Sequence, residues 1–269
     1  MSTPAQSAAE LLTRLRHRRP LIHHITNFVV MNETANITLC AGASPVMAHA
    51  KEEVAEMVAA AGALVLNIGT LTPEQVESMI IAGRRANELN IPIVLDPVGA
   101  GATKLRTESA LRLLTELKIS IIRGNLAELA TLAGFEAKIA GVDSHETVTN
   151  PETVTRTLAQ KNHCVAAITG AVDVVSDGTR LARISNGHPI MGRVTGTGCM
   201  STSVAACFAA LERDHFLATT AALATFGLAG EIAARNSRGP GTFHAQLYDA
   251  LANLTPEALA EGARIEIAG

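Results

Sequence analysis

The chain reads as an α/β protein: a mostly parallel central sheet with helices on both faces and an antiparallel edge. Three observations carry that reading. Short apolar runs at residues 63–67, 91–96, 119–123 and 164–169 alternate with helix-patterned segments, the rhythm of a parallel sheet covered on both sides. Residues 173–184 then break the rhythm with a hairpin turned at Asp177-Gly178, which adds antiparallel strands to one edge. Finally, 48% of the 269 residues are hydrophobic but only 3% are aromatic and none is Trp. A core of Ala, Val, Ile and Leu suits helices packed closely on buried parallel strands.

Taken in order, residues 1–20 are polar and carry Arg14, Arg16, Arg18 and Arg19 without the apolar stretch of a secretory signal, so they read as a surface helix. Thr72-Pro73-Glu74 opens a helix with a capping hydroxyl, a proline at the first position and an acid in the first turn. Further helices are predicted over 103–117, 125–133 and 151–160, and from Gly196 onward nearly everything is helical, with 203–211 buried. The cluster 235–243 breaks two helices and reads as a turn. The uncharged stretch 194–211 is too rich in Thr, Gly and Ser for a membrane span. With no linker, repeat or low-complexity tract, one domain over 1–269 is the economical organisation.

Composition narrows the function classes. A net charge of −3 gives no basic field for nucleic acid, and one Tyr with six Phe supplies few stacking platforms. Cys40, Cys164, Cys199 and Cys207 form no C-x-x-C pair and no zinc spacing, as expected of reduced thiols in a cytoplasmic protein. Three of them lie in apolar surroundings; Cys199 does not. His23 and His24 are adjacent and point opposite ways on an extended segment, so they cannot share a metal. His145, His163, His188, His215 and His244 have no ligand spacing.

The chemistry concentrates where strands end. Asn67-Ile68-Gly69-Thr70, Asp96-Pro97-Val98-Gly99, Arg123-Gly124-Asn125 and Thr169-Gly170 would line one rim, the carboxyl edge where open parallel sheets bind ligands. Thr195-Gly196-Thr197-Gly198-Cys199-Met200-Ser201 opens a helix, whose free N–H groups and partial positive charge make an anion cradle. That positive end is expected to pull the Cys199 thiol down toward the thiolate. Asp96 is a turn former or a metal-facing carboxylate. Glu128 closes a capping box with Asn125, or helps hold the water shell of Mg²⁺. Arg123, ending a strand of Ile, suits phosphate oxygens better than packing.

Together, Asn125-x-x-Glu128, the late Gly196-Thr197-Gly198-Cys199 loop and the strand-end Asp96-Pro97 resemble the ribokinase-like superfamily of small-molecule kinases. His24-Ile25-Thr26-Asn27 and Ser44-Pro45-Val46-Met47 point, within it, to the hydroxyethylthiazole kinase family of thiamine salvage. The resemblance runs from near residue 21 to the last helices. It implies a ribokinase-like fold and Mg²⁺- and ATP-dependent phosphorylation of the hydroxyl of 4-methyl-5-(2-hydroxyethyl)thiazole. Arg123, Thr169 and Asn125 would then serve ATP, while Met47, Asn27 and the Gly196 backbone would contact the thiazole. Asp96 and Glu128 would order Mg²⁺, with Gly196, Thr197, Gly198 and Cys199 as the anion hole and catalytic loop. It also implies a homotrimer with the pocket at a subunit boundary. The wider superfamily places Asp, a general base, where this chain has Cys199. Alternative readings are a kinase of the same fold for hydroxymethylpyrimidine or pyridoxal, and a nucleotide sensor without turnover.

Overall fold

A computed structural model describes residues 3–135 and 150–268. His145 lies outside the described residues. The elements run α1 (Pro4–Arg18), β1 (Leu21–Ile25), α2 (Met31–Ala41), β2 (Ser44–Met47), α3 (Val54–Ala59), β3 (Ala63–Asn67), α4 (Pro73–Glu88) and β4 (Ile93–Asp96). They continue with α5 (Lys104–Glu116), β5 (Ile121–Gly124), α6 (Leu126–Ala133), α7 (Pro151–Asn162), β6 (Val165–Ile168), β7 (Asp173–Ser176) and β8 (Leu181–Ile184). After a 3₁₀ turn at Pro189–Arg193 come α8 (Thr197–Ala209), α9 (His215–Arg235), α10 (Pro240–Asn253), α11 (Pro256–Gly262) and β9 (Ile265–Ala268).

The nine strands among the described residues form one sheet in the order β2-β1-β3-β4-β5-β6-β7-β8-β9. Neighbours from β2 to β6 are parallel, and β6 to β9 pair antiparallel. The predicted antiparallel edge is therefore present and one strand wider than the hairpin, because β9 returns to pair with β8. Alternation along each buried strand feeds two cores. Ala63, Val65, Val94, Ile121, Val165 and Ala167 face the layer of α8 and α9, while Leu64, Leu66, Leu95, Ile122 and Ile168 face α4 to α7.

Helix α8 lies between the sheet and α9 and is buried on nearly every side, which only small residues such as Ser203, Ala205, Ala206 and Ala209 permit. Helix α9 is the one described helix long and apolar enough to cross a membrane; 83% of that apolar stretch is buried inside the fold. The 194–211 stretch is not a long helix: its helical part starts at Thr197. The N-terminal segment is helical as expected, but not merely superficial. Leu12 and Leu15 are fully buried, and the Arg14 and Arg16 guanidinia donate to carbonyls at the C-terminal ends of α8 and α10.

Local signals set the helix boundaries. Thr72, Thr103, Asn125 and Asn150 each cap a helix through a side-chain oxygen. The hairpin turns as expected, with Gly178 at φ +95° and Asp177 accepting the Thr179 and Arg180 amides. Of the cluster 235–243 only residues 236–239 form the turn between α9 and α10; Arg235 ends α9 and Pro240–Phe243 open α10.

Candidate active site

The chain runs one way from β1 to β2 and the other way to β3, so β1 and β3 form the point where strand order reverses. Crevices for ligands open at the carboxyl ends of such strands. Asn27 follows β1 and Asn67 ends β3; β4 ends in Asp96 and β5 presents Arg123. Two cavities meet along this rim. One, of about 470 Å³, is lined by Arg123, Thr169, Gly170, Asp173, His188, Met191, Thr197, Gly198, Leu223 and Phe226. The other, of about 390 Å³, is lined by Asn27, Val29, Val30, Asp96, Arg123, Asn125, Glu128, Gly196, Gly198 and Cys199. Arg123 and Gly198 belong to both, so they mark the junction. The four strand-end segments singled out in the sequence all contribute to these walls.

The glycine loop does what its composition suggests. Gly196 caps α8 at φ +89°, where a side chain would also meet Val30 Cγ1 at 2.8 Å. No side chain caps this end. Among the described residues, the backbone N–H groups of Thr197, Gly198 and Cys199 find no protein acceptor, which leaves three donors at the cavity junction. Gly198 also makes room for an arginine: a Cβ there would sit 2.9 Å from Arg123 Nη1.

Arg123 is 8% exposed, donates from Nη2 to Thr169 Oγ1 and holds Nη1 3.8 Å from Asp96 Oδ2. Its buried Nε has no acceptor. Asp96 is 1% exposed; its Oδ2 accepts from Asn67 Nδ2 at 2.9 Å and from Thr202 Oγ1 at 2.8 Å, while Oδ1 has no donor. Burial outweighs the attraction of Arg123 and pushes the Asp96 carboxyl up to about 6. Glu128 is the capping partner of Asn125: its Oε2 accepts the Asn125 amide at 2.9 Å, and its Oε1 accepts the Gly99 amide at 2.7 Å. It thereby fastens the loop after β4 to α6.

Cys199 corrects an expectation. Its thiol is not drawn down by the helix end: burial and the nearby Asp96 carboxylate push it up to about 12, beyond what the Asn67 and Asn27 donors and Arg123 recover. The thiol form dominates at neutral pH. Met47, at the carboxyl end of the edge strand β2, lines neither cavity. Among the described residues, no three His, Cys, Asp or Glu side chains gather as a group that could hold a metal ion. His24 Nε2 meets Ser203 Oγ and His23 Nε2 meets the Ala48 carbonyl, on opposite faces of β1.

Asn67 is legible only as part of a strand end, and two further residues of the site, Thr202 and Asp173, escape a sequence reading. Asn67 and Thr202 hold Asp96 from a strand end and from inside a small-residue helix. Asp173, which opens the hairpin, is 9% exposed, accepts the Gly170 amide at 2.9 Å and lines the larger cavity. Only a polar residue at a strand boundary hinted at Asp173, and nothing marked Thr202.

This geometry has relatives. Residues 12–257 match the family model of the hydroxyethylthiazole kinase family. The chain is 55% identical over 264 residues to hydroxyethylthiazole kinase of Methanocella arvoryzae, covering 98% of this chain and 99% of that one. Its fold matches the solved hydroxyethylthiazole kinase structure from Pyrococcus horikoshii with a TM-score of 0.90 at 45% identity, over 97% and 99% of the two chains. Pyridoxal kinase from Staphylococcus aureus, at 13% identity and a TM-score of 0.63 over 92% and 97%, shares the ribokinase-like fold alone. The chain belongs to the hydroxyethylthiazole kinase family and is a kinase.

Proposed function

We propose that a single domain over 1–269 transfers the γ-phosphoryl group of ATP to the hydroxyl of 4-methyl-5-(2-hydroxyethyl)thiazole, with the nucleotide in the larger cavity and the alcohol in the smaller one. The observation that carries this reading is the junction itself. Arg123 and the free amides of Thr197, Gly198 and Cys199 converge where the two cavities meet, as donors must for a phosphoryl group passing between them. Apolar Met191, Leu223 and Phe226 suit a base, and Thr169 and Asn125 flank the phosphate end. Asn27, Val30 and the Gly196 backbone suit a small ring.

Phosphoryl transfer through a loose transition state asks for position and charge more than covalent chemistry. As the bond from phosphorus to the ADP oxygen breaks and the bond to the acceptor oxygen forms, negative charge grows on the leaving and equatorial oxygens. Arg123 and the α8 amides are already aimed at that charge, so no reorganisation is needed during reaction. The acceptor proton departs late and passes to an oxygen of the transferred phosphoryl group or to water, so no strong base is needed and Cys199, held as a thiol, acts by position. Mg²⁺ fits the donor set: Asp96 Oδ1 is a buried oxygen with no donor, and Glu128 retains a lone pair on each oxygen beside it in the cavity. Bound there, mostly through water and phosphate, it would neutralise phosphate charge.

The reading extends to an assembly. Phe28 and Val29, 64% and 59% exposed, stand at the acceptor end, and Met47 lies on the sheet edge away from both cavities. A second copy packed over that edge, in a homotrimer, would cover the acceptor and bring Met47 of one protomer into use. The test is ADP release with Mg-ATP and, in turn, hydroxyethylthiazole, hydroxymethylpyrimidine and pyridoxal. Thiazole-dependent release supports the assignment; ATP binding without thiazole turnover removes it.

A further inference from the structure

Asn67 makes four hydrogen bonds, and each is directional. Its Oδ1 accepts the Gly69 backbone amide at 3.0 Å and Asn27 Nδ2 at 2.8 Å. A backbone N–H is only ever a donor, so the Gly69 bond fixes which end of the amide is oxygen. The other end is then unambiguously NH₂. It donates to Asp96 Oδ2 at 2.9 Å and to Cys199 Sγ at 3.2 Å. Asn27 is pinned in the same way: its Oδ1 accepts the Val29 amide at 3.1 Å, so its Nδ2 is the end that reaches Cys199 Sγ at 3.6 Å.

Two amide donors therefore aim at one sulfur. A thiol sulfur has two lone pairs and one hydrogen, and with both lone pairs addressed by N–H groups the hydrogen must point elsewhere. Cys199 lines the smaller cavity, which is the open direction. Asn67 is 1% exposed and lines neither cavity, so it touches no ligand and works only through its neighbours. We propose that Asn67 is a positioning residue for the phosphoryl transfer: one amide that fixes the Asp96 carboxylate and the Cys199 sulfur in a single frame and turns the thiol hydrogen toward the acceptor cavity.

This rests on the smaller cavity being the acceptor end. The two donors make Sγ a hydrogen-bonded group, not an orphan. The frame also gives Thr202 a part, since its hydroxyl donates to the same Asp96 oxygen at 2.8 Å.

The variants are Asn67→Asp and Thr202→Val in the full chain. Asn67→Asp keeps the size and the oxygen that accepts from Gly69 and Asn27, but loses both N–H donors. Two readouts separate positioning from mere stability. In steady-state kinetics, Asn67→Asp is expected to lower kcat at least tenfold with KM for ATP within twofold. In alkylation by iodoacetamide at pH 9, followed peptide by peptide, modification of Cys199 should slow at least fivefold because a donor is replaced by a carboxylate. Cys40, on α2, is the internal control and should not change. If Asn67 only stabilised the fold, Cys199 and Cys40 would both react faster. That result, or an unchanged kcat and Cys199 rate, overturns the proposal. Should Asn67→Asp not fold, Thr202→Val decides: a kcat lowered at least threefold at constant KM upholds the frame around Asp96, and an unchanged kcat refutes it. The alkylation arm needs no acceptor, so a wild-type protein inactive on the thiazole would defeat the assignment of the alcohol and leave this test intact.

Discussion

Substituting Gly198 with Ala should separate the site's chemistry from the fold's stability. Gly198 is the second residue of α8, where alanine is the better helix former by ~0.5–1 kcal/mol. On that ground alone the variant should melt about 1–4 °C higher. The added methyl, however, lies 2.9 Å from Arg123 Nη1 and 3.2 Å from Nη2, against ordinary contact from 3.4 Å. The clash is with the tip of a flexible side chain, so the guanidinium yields rather than the helix. It must retreat by about 0.5 Å, away from the junction and from its hold on Thr169 and Asp96. A 1 Å misplacement costs about 100-fold in rate, and loss of one preorganised donor ~10²–10³. Half that displacement should then cost roughly ten- to a hundredfold in kcat. Steady-state kinetics and thermal unfolding of the same preparation give both numbers. A raised melting temperature with unchanged kcat would refute a role for Arg123 at the transferred group. A fall of several degrees would mean that Gly198 serves the fold first.

Other predictions follow from the same geometry. Cys199→Ala should lower kcat less than tenfold; with the thiol at about 12, a thiolate base would make the wild-type rate climb about tenfold per pH unit between pH 7 and 9, and no such climb is expected. Complete loss of turnover with binding intact, or such a climb, would restore the thiolate as an essential base. Asp173, lifted by burial to about 6 from an ordinary 3.8, binds its proton more tightly folded than unfolded. The stability it contributes is present below about pH 4 and is lost as pH rises through 6, an upper bound of about 3 kcal/mol. Asp173→Asn, which can still accept the Gly170 amide, should therefore melt higher than wild type at pH 7.5 and level with it at pH 4. A lower melting point at pH 7.5 would contradict the burial account.

Much of this architecture is written in local signals. Capping residues Thr72, Thr103 and Asn125, the Asp177-Gly178 turn and the buried apolar runs mark elements that need little from the rest of the chain. Strands β1, β2 and β9 carry no such pattern. Two histidines sit in β1, a proline in β2, and β9 is a short exposed edge whose partner is over eighty residues away. For the site, strand ends and the glycine loop locate Asp96, Arg123 and the α8 amides, since each is a type or spacing out of place for packing. The frame that Asn67 and Thr202 build around Asp96 is a matter of tertiary contact, invisible along the chain. The direction of the Cys199 shift fails for the same reason. A helix end favours the thiolate, but burial beside a carboxylate outweighs it, and only the fold supplies that burial.

The most direct test of the central claim is a mass balance on one reaction: purified wild-type protein, Mg-ATP and hydroxyethylthiazole, with ADP and the thiazole product quantified together by mass spectrometry. Transfer across the junction of the two cavities predicts one phosphorylated thiazole for each ADP, with little ADP when the alcohol is omitted. ADP without phosphorylated thiazole, or equal ADP with and without the alcohol, would contradict it.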